Sequence, residues 1–158
     1  MIILHYNYYK VHLLITFLLR FKKINKQMVS NSEFLNTFVK NLLNADKSIR
    51  WIGITDKNGV FINERYQDGV RPLLSKEENQ ESAVSAINRH RTRLKFEPKI
   101  GKLTYAFGKY ENLSRSIIPL SENYYLLLTI DSKESNYDKI IMDKIIPIVE
   151  REIERFMV

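Results

Sequence analysis

The apolar residues Phe34, Leu35, Phe38, Val39, Leu42 and Leu43 recur three and four positions apart, the spacing of an amphipathic helix that ends near Asn44. Ser30 and Glu33 just ahead of it have the spacing of a capping box, which marks a helix start. Ile49–Thr55 is β-branched and aromatic, and Val60–Tyr66 alternates apolar with polar positions. Between them, Asp56-Lys57-Asn58-Gly59 ends in the Asn-Gly pair that favours a tight turn, so this stretch is predicted to be a β-hairpin. Gly69 and Pro72 mark a loop. Ser75 and Glu78 then repeat the capping-box spacing and open a second helix, with Val84, Ile87, Arg91 and Leu94 following on one face until Pro98 and Gly101 stop it.

Three extended runs follow: residues 103–110 (LTYAFGKY), 113–120 (LSRSIIPL) and 124–130 (YYLLLTI), separated by turns short enough to make neighbours antiparallel. A last helix from Tyr137 aligns Ile140, Ile141, Ile145, Ile148, Val149, Ile153 and Phe156, with a kink expected at Pro147. The order is α-β-β-α-β-β-β-α. Two meanders joined by a helix most simply form one five-stranded antiparallel sheet with helices on its faces, an α+β layer architecture.

Residues 1–27 change the picture of charge. The chain carries 25 Lys and Arg against 18 Asp and Glu, a net charge of +7. Five of those bases (Lys10, Arg20, Lys22, Lys23, Lys26) and no acid fall before Met28, leaving 20 bases against 18 acids in 28–158. The basic character therefore belongs mainly to this leader, and it is weak ground for expecting a nucleic-acid binder. His5, Asn7, Lys10 and His12 interrupt its apolar run, which is too short to span a bilayer. Its bases follow the apolar segment, the reverse of a secretory signal. An interfacial helix with a basic end, a helix packed on the domain, and a start assigned too early all remain open; the expected domain is 28–158. A membrane is expected as a partner only if residues 1–27 are part of the protein, and the expected location is the cytoplasm.

With no cysteine, the chain has no disulfide framework, thiolate metal site or cysteine nucleophile. GxxxxGK[ST], GxGxxG, HExxH and GxSxG are absent, and the five glycines are not closely spaced, so no phosphate cradle, dinucleotide turn, helical zinc pair or nucleophile elbow is encoded. Of three histidines, His5 and His12 lie in the leader, and His90 has neither a second histidine nor a carboxylate near it; it reads as a half-exposed helix residue. No metal, cofactor or catalytic residue is expected. Asp56 heads a turn and is expected to accept backbone N–H bonds there. Trp51 is expected in the core.

One local feature exceeds the background. Residues 89–102 hold six bases (Arg89, Arg91, Arg93, Lys95, Lys99, Lys102) against Glu97 alone. Cations at a helix C-terminus complement the macrodipole. The alternative is a binding site for an anionic partner, formed by Arg89, Arg91, Arg93 and Lys95, although helical pitch puts Arg89 and Arg93 on one face and Arg91 near the opposite one, so that they form no single prong.

The element order from Ser30 to Phe156, with the hairpin at residues 51–62 turning on Asp56-x-x-Gly59, resembles the roadblock, or dynein light-chain, family, whose sheet is profilin-like. The hairpin motif also occurs in PAS and Cache sensor domains, so a small-ligand sensor remains an alternative, and a nucleic-acid binder using the basic helix end a further one. The resemblance implies a non-enzymatic interaction module. It would be a homodimer paired through the second helix and third strand, serving as scaffold or regulator of a small Ras-like GTPase. Mapped onto this chain, the implied interface includes Val84, Ile87 and Arg91 on the helix and Leu103, Tyr105 and Phe107 on the strand. Independently, the meander order leaves that strand near a sheet edge, where its backbone can pair with another copy even if Tyr105 and Phe107 are core.

Overall fold

The computed structural model describes residues 31–157. The leader at residues 1–27 and Ser30, the expected helix cap, lie outside that range. The chain divides into two contact units, Met1–Thr37 and Phe38–Val158. Of the first, residues 31–37 are described and are helical; the helix runs over 31–43 and is called α1.

The second unit holds β1 (Ile49–Asp56), β2 (Phe61–Tyr66), α2 (Lys76–Leu94), the short α3 (Glu97–Ile100), β3 (Ala106–Lys109), β4 (Leu113–Pro119) and β5 (Tyr124–Asp131). A C-terminal helical segment follows: one turn of α4 (Tyr137–Lys139), a π-helical stretch (Ile140–Ile145), α5 (Ile146–Glu152) and a 3₁₀ turn (Ile153–Phe156). The strands form one antiparallel sheet in the order β2-β1-β5-β4-β3. The expected five-stranded α+β sheet is thus the observed one, and β3 is an edge strand. It is also shorter than its apolar run suggests: Leu103 and Tyr105 precede it.

The hairpin turn follows its sequence. The Asp56 carboxylate accepts from the amides of Asn58 and Val60 at 2.8 and 2.9 Å, and Gly59 takes the positive φ of 82° that a Cβ would strain. At the start of α2, Ser75 Oγ accepts from the Glu78 amide, while the Glu78 carboxylate accepts from the Ser75 amide at 2.7 Å, closing the capping box.

Alternation along the strands sends two sets of side chains to opposite faces. Trp51, Tyr125, Leu127 and Ile117 lie under Ala83 and Ile87 of α2. The Trp51 indole folds across Gly53, where any Cβ would meet the ring at 2.4 Å, and reaches Phe61 edge-on at 5.5 Å. The other face presents Ile52, Ile54, Ile118, Leu126, Leu128 and Ile130, all buried. Residues 38–43 of α1 and the C-terminal segment supply the apolar helical surface for it: Phe38, Val39, Leu42, Leu43, Ile140, Ile141, Ile145 and Val149 are buried. The Phe38 and Phe156 rings sit 5.3 Å apart, Tyr124 meets Phe156 at 6.0 Å, and Phe107 of β3 stacks on Tyr137 at 3.7 Å. Lys144 pairs with Asp46 at 2.6 Å, tying the C-terminal segment to the loop ahead of β1.

Pro147 does not kink a continuous α-helix. It lies in the first turn of α5, immediately after the π-helical stretch. Proline has no amide hydrogen to donate to the preceding turn, and the first turn of a helix is where that loss is tolerated.

Candidate protein-interaction surface

Helix α2 turns Asn79, Ala83, Ile87 and His90 to the sheet, leaving its opposite side exposed. There, Glu77, Glu81, Ser85, Arg89 and Arg93 follow one another at four-residue steps, and all five are exposed. Residues so spaced form a single ridge on a helix surface. The ridge is acidic at its N-terminal end, small and neutral at its centre, and basic at its C-terminal end. Its charges invert about Ser85.

The basic half borders the β3 edge. A groove of about 130 Å³ runs between α2 and β3, lined by Ser82, Arg89, Arg93, Phe107, Tyr110 and Arg115 among others. β3 pairs with β4 on one side, and its other side has no strand among the described residues. Helix ridge and open strand edge therefore form adjoining parts of one surface.

Arg115 stands at the floor of this surface. Its guanidinium donates to Ser82 Oγ at 2.8 Å and to Asn79 Oδ1 at 2.7 Å, and its carbon lies 5.5 Å over the Trp51 ring. Glu64 closes the network by accepting from Trp51 Nε1 at 3.1 Å and from Asn79 Nδ2 at 3.4 Å. Burial pulls the Arg115 pKa below that of a free guanidinium, with Tyr110 and Tyr66 opposing the shift and Arg89 adding to it. These polar groups fix α2 on the sheet at its middle, beneath the ridge.

The residues expected at the interface divide. Ile87 is 1% exposed in the core against Trp51 and Leu127, so it lines no surface. Val84 packs against the hairpin tip: a Cβ on Gly59 would come within 2.8 Å of its side chain. Arg91 donates to the Lys57 carbonyl, and Gln80 to the Gly59 carbonyl, so this flank of α2 clasps the β1–β2 turn. Tyr105 donates its hydroxyl to Asp138, a bond that together with burial pushes the phenol up to about 12. With Phe107 stacked on Tyr137, both side chains engage the C-terminal segment; what β3 offers a partner is its backbone. Leu103 is half-buried beside an open groove of about 810 Å³ at the C-terminal end of α2, which His90, Arg91, Leu94 and Tyr125 also border.

The expected anionic-partner residues are not one prong. Arg89 and Arg93 face the β3 groove, Arg91 is held by the hairpin tip, and Lys95 lies 5.0 Å over the Phe96 ring beyond the helix end. His90 is not half-exposed: it is 4% exposed, edge-on to Tyr125 at 5.5 Å, with burial holding its pKa below 6.5. Sequence reading missed Arg115 and the acidic half of the ridge. The second was detectable, since four-residue spacing from 77 to 93 is a sequence property.

Among the described residues, no group of three or more His, Asp or Glu side chains is placed to hold a metal ion, and no helix is long and apolar enough to cross a membrane.

Solved structures settle what kind of fold this is. Myxococcus xanthus MglB superposes with a TM-score of 0.59 at 15% identity, over 78% of this chain and 94% of that one. A roadblock/LC7 domain from Streptomyces avermitilis gives 0.58 at 7% identity, over 77% and 96%. The fold is the roadblock/LC7 fold. An MglB solved in a tetrameric arrangement also shares it, with a TM-score of 0.59 at 13% identity over 78% of this chain and 85% of that one. No family model and no curated protein matches the sequence. The roadblock/LC7 fold is thus shared here by geometry at identities where few individual side chains are held in common.

Proposed function

We propose that this chain is a non-enzymatic, cytoplasmic interaction module that pairs with a second copy of itself through α2 and β3, and that the pair scaffolds or regulates a small Ras-like GTPase. The observation that carries the self-pairing is the ridge Glu77-Glu81-Ser85-Arg89-Arg93. An antiparallel two-fold contact centred on Ser85 sets Glu81 against Arg89 of the second copy and Glu77 against its Arg93, so every charge meets its opposite. A parallel contact would oppose like charges. The adjoining β3 edge supplies backbone groups that the same two-fold can pair into a continuous sheet. Pairing also brings carboxylates to the basic side of the groove, where Arg89, Arg93 and Arg115 otherwise crowd positive charge.

The GTPase rests on the family resemblance, supported by the shared roadblock/LC7 fold. Light scattering of the full chain at micromolar concentration tests the first part: the expected mass is twice the 18.8 kDa monomer, falling toward the monomer in both Glu81→Arg and Arg89→Glu. A wild-type monomer rules out the pairing. For the second part, capture from a native lysate is expected to retain a small GTPase, and its absence among proteins enriched over a Glu81→Arg control counts against it.

A further inference from the structure

We propose that the turn joining α2 to β3, residues 94–102, is a docking surface for an anionic lipid bilayer. The structure divides the basic cluster into three, and Arg91 and the Arg89–Arg93 pair already have roles at the hairpin tip and on the ridge. Lys95, Lys99 and Lys102 remain, exposed on the turn and used by neither. Among them stand the apolar side chains that α2 and α3 leave in water: Leu94 at 43%, Phe96 at 49% and Ile100 at 80% exposure. Phe96, just ahead of α3, and Ile100, its last residue, stand four positions apart, on one side of the turn. Beyond them, Gly101 has nothing within 4 Å of where a Cβ would lie, so the turn projects outward.

Part of the backbone of the turn is already paired. The amides of Phe96, Lys99, Ile100 and Gly101 all donate within the turn, at 2.9–3.1 Å, to carbonyls of Arg93, Phe96 and Glu97. Amides paired within the turn lower the cost of seating it at the headgroup boundary. The one acid, Glu97, is half-buried.

Charge complementarity selects the occupant. Residues 89–102 carry six bases and one acid, whereas the rest of 28–158 carries fourteen bases and seventeen acids. Within 28–158, an anionic surface therefore attracts this end of the domain and repels the rest of it, which orients the domain's approach. A bilayer boundary accepts cations and apolar side chains together. A nucleic acid would satisfy the lysines but offers Leu94 and Ile100 nothing, since aliphatic side chains do not stack on bases as aromatic ones do. The contact lies on the turn itself and calls on no residue before Met28.

Co-sedimentation of the full chain with phosphatidylcholine vesicles, with and without phosphatidylserine, tests the proposal. Binding is expected only to the phosphatidylserine vesicles, and weaker as salt rises. Phe96→Ser with Ile100→Ser is expected to weaken it about tenfold, and Lys95→Glu with Lys99→Glu about thirtyfold. The circular dichroism of both variants should match wild type, because all four side chains are exposed. Absent binding to phosphatidylserine vesicles, or binding that both double variants retain, overturns the proposal. So does tight binding to duplex DNA that the Phe96→Ser and Ile100→Ser pair leaves intact while vesicles are ignored.

Discussion

β1 and β5 present to one face Ile52, Ile54, Leu126, Leu128 and Ile130, and to the other Trp51, Thr55, Tyr125, Leu127 and Thr129. On the second face, which α2 covers, β4 adds Arg115, and α2 itself contributes Asn79, Ser82 and His90. The same two central strands thus serve an aliphatic core behind them and, in front, an apolar cluster around Trp51 bordered by the hydrogen-bonded group of Arg115, Asn79, Ser82 and Glu64. Dry burial stabilises by about 1.5–3 kcal/mol per large aliphatic side chain and is indifferent to direction. A network of directional bonds adds less net stability, about 0.5–1.5 kcal/mol per bond, but fixes position. The difference assigns the roles: the face away from α2 holds the domain together, and the α2 face sets the helix where its charged ridge and the β3 edge form one surface.

If so, the largest loss of stability comes from the dry face. Leu128→Ala, at a fully buried position, is expected to cost about 3 kcal/mol in urea unfolding while leaving self-association of the folded fraction unchanged. A loss below about 1 kcal/mol would mean that the dry face does not carry the fold.

Arg115→Ala sharpens the contrast. It strands Asn79 Oδ1 and Ser82 Oγ beneath α2 and is expected to cost about 2 kcal/mol. Unlike Leu128→Ala, it should also weaken self-association, because the ridge loses its footing. Equal effects of the two substitutions on self-association would erase the distinction between the faces.

Ser75→Ala removes the cap of α2 and is expected to cost about 1 kcal/mol, measured by thermal unfolding. The capping box of α2, the hairpin turn, the order of elements and the edge position of β3 were legible in the sequence, because each depends on local spacing or on short connections; the pairing of β1 with β5, which sets the order of strands in the sheet, was not, since it joins residues about 75 positions apart. Arg115 was not legible: a lone arginine in a strand of serines and isoleucines gives no sign of which face it takes, and its partners lie 33 and 36 residues earlier. Tyr105 and Phe107 read equally well as core or as contact, and only the position of Tyr137 and Asp138 decides that their side chains are already engaged. His90 stands three residues after Ile87 and seven after Ala83, so helical spacing does put it on the side of α2 that faces the sheet; what spacing does not reveal is the Tyr125 ring it meets there.

The smallest effect is a pH dependence confined to the α2 face. Burial holds the His90 imidazole below its ordinary 6.5; Glu97 opposes this, and Arg93 and Arg91 add to it. As pH falls through 6.5, the unfolded chain takes up this proton before the folded one does, so stability is intact above that value and declines below it. Urea unfolding at several pH values between about 7 and about 5 should show the decline, and His90→Phe should flatten it. Asp46 titrates in a lower window. Its burial favours the neutral acid, but the bonds from Lys144 and Ser48 prevail and hold it at about 2, so its contribution is lost only as pH falls from 3.8 toward that value.

The most direct measurement is a mixing experiment on the ridge. Glu77→Arg with Glu81→Arg makes one chain wholly basic along it, and Arg89→Glu with Arg93→Glu makes another wholly acidic. Each alone should run as a monomer in light scattering, and an equimolar mixture should recover the mass of a pair containing one of each. Two monomers that stay apart when mixed, or variants that still pair alone, would contradict an antiparallel contact centred on Ser85.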